Sequence, residues 1–241
     1  KHVSIMPDAH TGYGVPIGTV LATDRYVLPN VVGVDIGCGM CYVPTDIDAG
    51  LLNETRKGVL ISKRIADSIT RRIPVGFNKH DTKAEGYLAG ELHDAFVDCV
   101  SNKSVEEPQE LLAEFDGSFF SLGTLGGGNH FIELQRDTET NKVAIMIHSG
   151  SRHFGYSVAK YYNNYAKQLN DAWYSNRPND ELNFLPMDHK VGKSYTAWME
   201  LAMEFARLNR ARMMSIVKDE LTWKFGDVEF GTEVNAHHNY A

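Results

Sequence analysis

Residues 33–44 read GVDIGCGMCYVP, and the rest of the chain has to be fitted around what this stretch does. It sets a carboxylate, Asp35, and a thiol, Cys38, in a turn between two apolar runs, with Gly33, Gly37 and Gly39 around them. Glycine reaches backbone angles that other residues avoid, so a turn built this way aims the acid and the thiol at a target. Working outward, NVVGVDIG reads as a strand entering the turn and MCYVPTD as a strand leaving it. With HVSIMP and PIGTVLAT they make the first part of the chain β-rich, in short apolar runs broken by Gly, Pro, Asn and Asp.

Further along, the apolar period changes. Val59, Leu60, Ile65, Ile69 and Ile73 recur near a helical turn, which predicts a helix from about Asn53 to Arg72. A second helix fits Glu85 to Val100. Strands resume at FFSLGTLGGGNHFIEL and KVAIMIHSGS, and helices are read from Phe154 to Leu169 and from Tyr195 to Leu221. In the last of these, Trp198, Leu201, Ala202, Phe205 and Leu208 mark a buried stripe. Met203, Met213 and Met214 fit core packing better than a cofactor box. The loop SNRPNDELNFLP is too short to divide domains, so residues 1–241 read as a single mixed α/β domain.

Composition narrows the function. A chain of 241 residues can bury one sizeable core. A net charge of −7 opposes nonspecific wrapping of duplex nucleic acid. It leaves room for nucleic acid at a local basic cleft beside bound cations. Lys57, Lys63, Arg64, Arg71 and Arg72 form the most basic stretch, read as a solvated helix face in preference to an RNA-backbone contact. No apolar run is long enough to span a bilayer and no signal segment is visible. Cys38, Cys41 and Cys99 are too few for a disulfide framework, so a reducing, cytoplasmic setting is the default. The chain starts at Lys1 inside HVSIMP and stops in NAHHNYA, both in mid-pattern, and is expected to be part of a longer polypeptide.

The glycine loops fail the nucleotide fingerprints. GTLGGGNH lacks the Lys-Ser/Thr ending of a P-loop, and GYGVPIG has the wrong spacing for a dinucleotide fold. Exposed N–H groups of such a loop can still hold a phosphate. Cys38 and Cys41 form a CxxC pair without the second pair of a zinc ribbon; Cys41, in a strand, reads as a small buried hydrophobe. Histidines 130, 148, 237 and 238 sit in polar or glycine-rich punctuation at the ends of apolar runs. Strand ends converging at one rim of a sheet would bring such residues to Asp35 and Cys38. One thiolate, one carboxylate and several imidazoles suit Zn²⁺, Mn²⁺, Fe²⁺ or Co²⁺ rather than Ca²⁺ or Mg²⁺. A thiolate can bridge two metals, and paired divalent ions serve phosphoryl transfer.

The stretches MPDAHTGYGVPIGTV, VGVDIGCGM, LGTLGGGNHFIEL, IMIHSGSR and HHNYA, in this order from Met6 to Ala241, resemble the RtcB RNA ligases. The resemblance implies a fold of stacked β-sheets flanked by helices. It implies joining of an RNA 2′,3′-cyclic phosphate or 3′-phosphate end to a 5′-hydroxyl end with GTP and Mn²⁺, in tRNA splicing or RNA repair. In such enzymes a histidine takes GMP from GTP, the GMP passes to the RNA 3′-phosphate, and the 5′-hydroxyl displaces it.

Carried over residue by residue, the resemblance makes Asp35, Cys38, His130, His148 and His238 the metal ligands for two Mn²⁺ ions, with Cys38 as the bridge. It makes Asn129, His130, Phe131, Ile132, Glu133, His238 and Asn239 the nucleotide segment, and gives Arg152 a phosphate. The guanylylated histidine of the family lies beyond HHNY, near an HGAG-type motif, and nothing in this chain matches it. His237 and His153 receive no role, although His153 stands where the family carries a small residue. An archease-like activator is a possible partner. The competing readings are a metal-dependent phosphodiesterase acting on cyclic RNA ends without ligation, and a non-catalytic metal- or RNA-binding fragment.

Overall fold

The computed structural model describes residues 2–12 and 14–241; Lys1 and Tyr13 lie outside the described residues. β1 (Val3–His10) and β2 (Ile17–Leu21) form an antiparallel hairpin. β3 (Tyr26–Val27) and α1 (Pro29–Val32) lead through the turn at 33–38 into β4 (Gly39–Asp48). A 3-10 turn and the hairpin of β5 (Thr55–Arg56) and β6 (Val59–Leu60) precede α2 (Ile61–Arg72). Then come α3 (Tyr87–Ser101), α4 (Gln109–Ser118), β7 (Phe131–Arg136), β8 (Lys142–Ser149) and α5 (Arg152–Ala172). β9 (Leu185–Pro186), which pairs with β3, α6 (Lys190–Phe225) and β10 (Val234–His237) complete the chain. The mixed helix-and-strand class read from the sequence holds.

The site rests on a four-stranded antiparallel sheet in the order β10-β4-β8-β7. In β4 burial alternates residue by residue, as a strand with one covered face requires. Its covered face, with Cys41, Val43 and Ile47, packs with Ile145 and Ile147 against Ile65 and Ile69 of α2 and Met213, Met214 and Val217 of α6. The front half of α6 serves another core, where Trp198, Leu201, Phe205 and Leu208 meet Leu92, Leu111, Phe115, Phe154 and Tyr162. One helix of 36 residues therefore ties the sheet to the helical layer. The stripe read in the sequence is buried at every position, and Cys41 is fully buried among aliphatic side chains.

The register sets one rim. Gly39 opposes both His237 and Ser149, Met40 opposes His148, and His148 opposes Phe131. The start of β4, the end of β8, the start of β7 and the end of β10 thus share an edge, which is the convergence expected of the histidine-bearing segments.

Several boundaries differ from the sequence reading. NVVGVDIG is not a strand: Pro29 opens the single turn α1, and Gly33, at φ 96°, ends it. The helix expected from Asn53 begins at Ile61, because Val59 and Leu60 pair across a hairpin turned by Gly58. In FFSLGTLGGGNHFIEL only the last part is a strand. Residues 119–130 are turns in which the Thr124 hydroxyl bonds the Ser121 carbonyl, and Leu122 is buried as an anchor. α4 and β10 were not expected, and α5 and α6 run longer than their apolar patterns.

Candidate metal centre

Asp35 and Cys38 project from a turn closed by the Cys38 N–H to the Asp35 carbonyl (3.1 Å). Gly37 is required there: φ is +73°, and a Cβ would lie 2.8 Å from the Met203 Cα of α6. Asn239 clamps the same turn, accepting from the Gly37 N–H (2.8 Å) and donating to the Asp35 carbonyl (3.1 Å). Cys38 accepts at its carbonyl from the His238 N–H (2.8 Å), which sets the segment after β10 against the turn.

Four of the expected ligands surround the fifth. Cys38 Sγ lies 3.5 Å from His130 Nε2 and 3.2 Å from His148 Nε2. His130 Nε2 is 3.0 Å from Asp35 Oδ2, and His148 Nε2 is 3.4 Å from His238 Nε2. The donor atoms fall into two groups, Asp35–Cys38–His130 and Cys38–His148–His238, each within 4.8 Å internally and sharing the one sulfur. Strand geometry separates the neighbours: His237 Nδ1 is turned to the Gly37 carbonyl and Arg210 Nη2, both at 3.0 Å, whereas His238 joins the cluster.

The hydrogen bonds suit a divalent cation. His130 Nδ1 faces the Leu125 carbonyl and His148 Nδ1 the Asn129 carbonyl, each at 3.0 Å. A ring that donates through Nδ1 turns the Nε2 lone pair into the cluster, the orientation metal-bound histidines take. Burial raises the Asp35 pKa, but hydrogen bonding and charge from His130, with help from Cys38 and the Ser151 N–H, hold it below the usual carboxylate range. Burial, then the Asp35 charge, pushes the Cys38 thiol upward, a balance that a coordinated cation reverses. Burial keeps His148 below the ordinary imidazole value. Cys38 is covered, yet its sulfur meets nitrogen rather than grease.

The remaining expected residues lie around this centre in different ways. Arg152 stands beside it across Gly126, donating from Nε to Thr124 Oγ1 (3.1 Å) and from Nη2 to the Gly76 carbonyl (2.6 Å). Phe131 packs its ring 5.5 Å from His148. Asn129 offers its carbonyl to His148, Ile132 packs toward the sheet core, and Glu133 is exposed and takes a bond from Gln135 (3.0 Å). His153 lies outside the cluster, near Glu114 and stacked on Tyr156.

Two residues of α6 escaped the sequence reading. Asn209 is fully buried; its Oδ1 accepts from the Gly123 and Thr124 N–H groups (2.7 and 3.1 Å), and its Nδ2 reaches the carbonyls of Thr124 and Gly150 and the Ser149 hydroxyl. Arg210 is fully buried too, donating to the carbonyls of Gly37 and Ser149 and to Asn235 Oδ1 (2.8, 2.8 and 2.7 Å). Burial brings its pKa down to about 10, so it stays charged at neutral pH. One guanidinium therefore holds the acid–thiol turn, the end of β8 and β10 together. The visible signal was polar side chains in phase with a buried stripe, since Asn209 follows Phe205 by one helical turn.

A family model described as tRNA-splicing ligase RtcB matches residues 1–241. An Escherichia coli protein named RNA-splicing ligase RtcB is 32% identical over 251 residues, covering 100% of this chain and 60% of its own length. A tRNA-splicing ligase RtcB of Pyrobaculum aerophilum is 32% identical over 276 residues, covering 98% of this chain and 56% of its own length. One from Thermococcus kodakarensis is 27% identical over 292 residues, covering 100% and 57%. The chain spans 56–60% of the length of these relatives. With its rim of converging ligands and these matches, the chain belongs to the RtcB family of RNA-splicing ligases.

Proposed function

We propose that residues 1–241 act as one unit, the metal-binding part of an RNA ligase that joins a 2′,3′-cyclic phosphate or 3′-phosphate RNA end to a 5′-hydroxyl end with GTP and Mn²⁺. The observation that carries this reading is the sulfur of Cys38 shared between two donor groups. Asp35, Cys38 and His130 would hold one Mn²⁺, and Cys38, His148 and His238 the other. When bound, the ions neutralise charge on the phosphate oxygens of the reacting ends. The chain's own residues arrange the rest. The Leu125 and Asn129 carbonyls fix the two rings. Arg152, anchored by Thr124 and Gly76, presents its remaining N–H groups to a phosphate. Phe131 and the 129–133 segment, with His238 and Asn239, border the place for the guanine nucleotide.

The histidine that carries GMP in this reading is not among the residues matched here. The family names imply an RNA substrate, and we assign an archease-like activator as a possible partner and the cytoplasm as the compartment. No helix among the described residues is long and apolar enough to cross a membrane.

The test uses the full-length polypeptide, a strand with a 2′,3′-cyclic phosphate and a 5′-hydroxyl strand. Joined product that needs both GTP and Mn²⁺, with label from GTP trapped as an acid-labile protein adduct, is the expected result. Opening of the cyclic end without joining, and no adduct, would favour the phosphodiesterase reading and sink this one.

A further inference from the structure

Apart from the metal-ligand cluster, a groove of about 500 Å³ opens between the end of α2, the start of α3 and the middle of α6. Arg72, His80, Glu85, Tyr87 and Arg212 carry its chemistry. Arg212 has no hydrogen bond or ion pair among the described residues. Its stem is seated on Gly123, where a Cβ would lie 2.7 Å from Arg212 Cδ, so the guanidinium is aimed without being neutralised. Arg72 donates to the Ile216 carbonyl and to Asp219, each at 3.3 Å, leaving its other N–H groups uncommitted.

His80 carries the unanswered demand. Its ring makes a backbone hydrogen bond with Gly123, while Nε2 is buried and without a partner. With the ring's other nitrogen committed to the Gly123 backbone, Nε2 is the nitrogen left to accept, and burial, then the charge of Arg212, lowers the ring's basicity. A buried acceptor requires a donor, and an unpaired guanidinium requires an oxyanion. Glu85 and Asp219 oppose the two arginines, so the groove is no broad basic field. It is built to orient one anion that also carries a hydroxyl. Tyr87, 79% exposed, offers an open ring at the rim.

We propose that this groove grips a single ribose-phosphate unit of an RNA strand, with Arg212 and Arg72 on the phosphate, the ribose 2′-hydroxyl donating to His80 Nε2, and Tyr87 under the base. The proposal rests on the RNA-ligase reading. The two sites are coupled by one loop, since Gly123 holds His80 and Leu125, two residues later, accepts from His130.

The experiment measures anisotropy of a labelled single-stranded RNA, and of DNA of the same sequence, on the full-length protein across a salt series. Arg212→Gln should weaken both strands and make the slope of log affinity against log salt shallower by about 0.7. His80→Phe should weaken RNA by about two- to tenfold and leave DNA unchanged. Tyr87→Ala, at an exposed position that cannot disturb the core, should weaken both strands at least about fivefold. Metal uptake should match the wild type in Arg212→Gln and Tyr87→Ala. If the wild type binds RNA and the three variants bind it equally well with the same salt slope, the groove proposal is overturned while the ligase reading stands. If the wild type binds no RNA, the ligase reading falls and takes the groove with it. A shift of the His80 ring signals by inorganic phosphate, without one from RNA, would also overturn the proposal and identify a free-phosphate site.

Discussion

Replacing Asn209 tests whether the metal rim is held from behind. The side chain is fully buried and is the partner of two backbone N–H groups, those of Gly123 and Thr124. Removal leaves both donors buried and unsatisfied, and each such orphan costs about 1–3 kcal/mol. The carbonyls of Thr124 and Gly150 lose a donor as well, whereas Ser149 keeps its bond to the Leu125 carbonyl (2.8 Å). A total of about 3 kcal/mol is the central expectation, a lowering of Tm by about 6–12 °C for a chain of this length. Asn209→Ala also opens a cavity, so Asn209→Leu, which restores volume and no hydrogen bond, is the informative partner. Thermal unfolding of the full-length protein should show both variants falling together, with divalent-metal affinity falling in parallel. A Leu variant melting within about 2 °C of wild type would refute the reasoning, because the loop would then be indifferent to the polar brace that Asn209 gives it from α6.

Other substitutions probe neighbouring contacts. Gly150→Ala places a methyl group on both carboxylate oxygens of Asp35; metal affinity by isothermal titration should drop by about tenfold or more, while circular dichroism keeps the native fold. Arg210→Lys keeps the charge and loses the planar fork whose Nη1 holds the Gly37 and Ser149 carbonyls while Nε holds Asn235; an about tenfold weaker metal site is expected in the same titration, and unchanged affinity would exclude the positioning role. The Cys99 thiol on α3 is pushed up to about 12 by burial from an ordinary 9.0. Its folded pKa exceeds its unfolded one, so its contribution is whole below the unfolded value and is lost as pH climbs toward the folded value. Urea midpoints should decline between about pH 9 and about pH 12 more steeply in wild type than in Cys99→Ala.

Much of this centre could be read without coordinates, and the reason is local. Asp35 and Cys38 stand out in a glycine-bracketed turn before β4, and His130, His148 and His238 sit just before, in and just after strands β7, β8 and β10; the register of β4 with β8 and β10 and of β7 with β8 puts them together. The helical stripe on α6 was legible because burial follows the helical period. What escaped depends on tertiary context. NVVGVDIG has strand composition, but Pro29 and the press of α6 on Gly37 decide its shape. Residues 119–130 look like a strand by hydrophobicity, yet side-chain bonds to the backbone and glycines with positive φ make them a loop. Asn209 and Arg210 act through segments distant in sequence, so no local pattern announces their partners. The basic stretch at α2 is largely as read: Lys63 pairs with Asp67, Arg64 donates to the Arg56 carbonyl and Arg72 pairs with Asp219, though Arg72 also borders the groove beside Arg212.

In the candidate centre one sulfur, that of Cys38, is shared by two donor groups. Anomalous diffraction from crystals of the full-length protein grown with Mn²⁺ addresses it directly. Two peaks are predicted, one between Cys38 Sγ and the Asp35–His130 pair and the other between the same sulfur and the His148–His238 pair, with both signals reduced in Cys38→Ala. A peak pattern that leaves Cys38 uncoordinated, or metal bound only by residues outside these five, would contradict it.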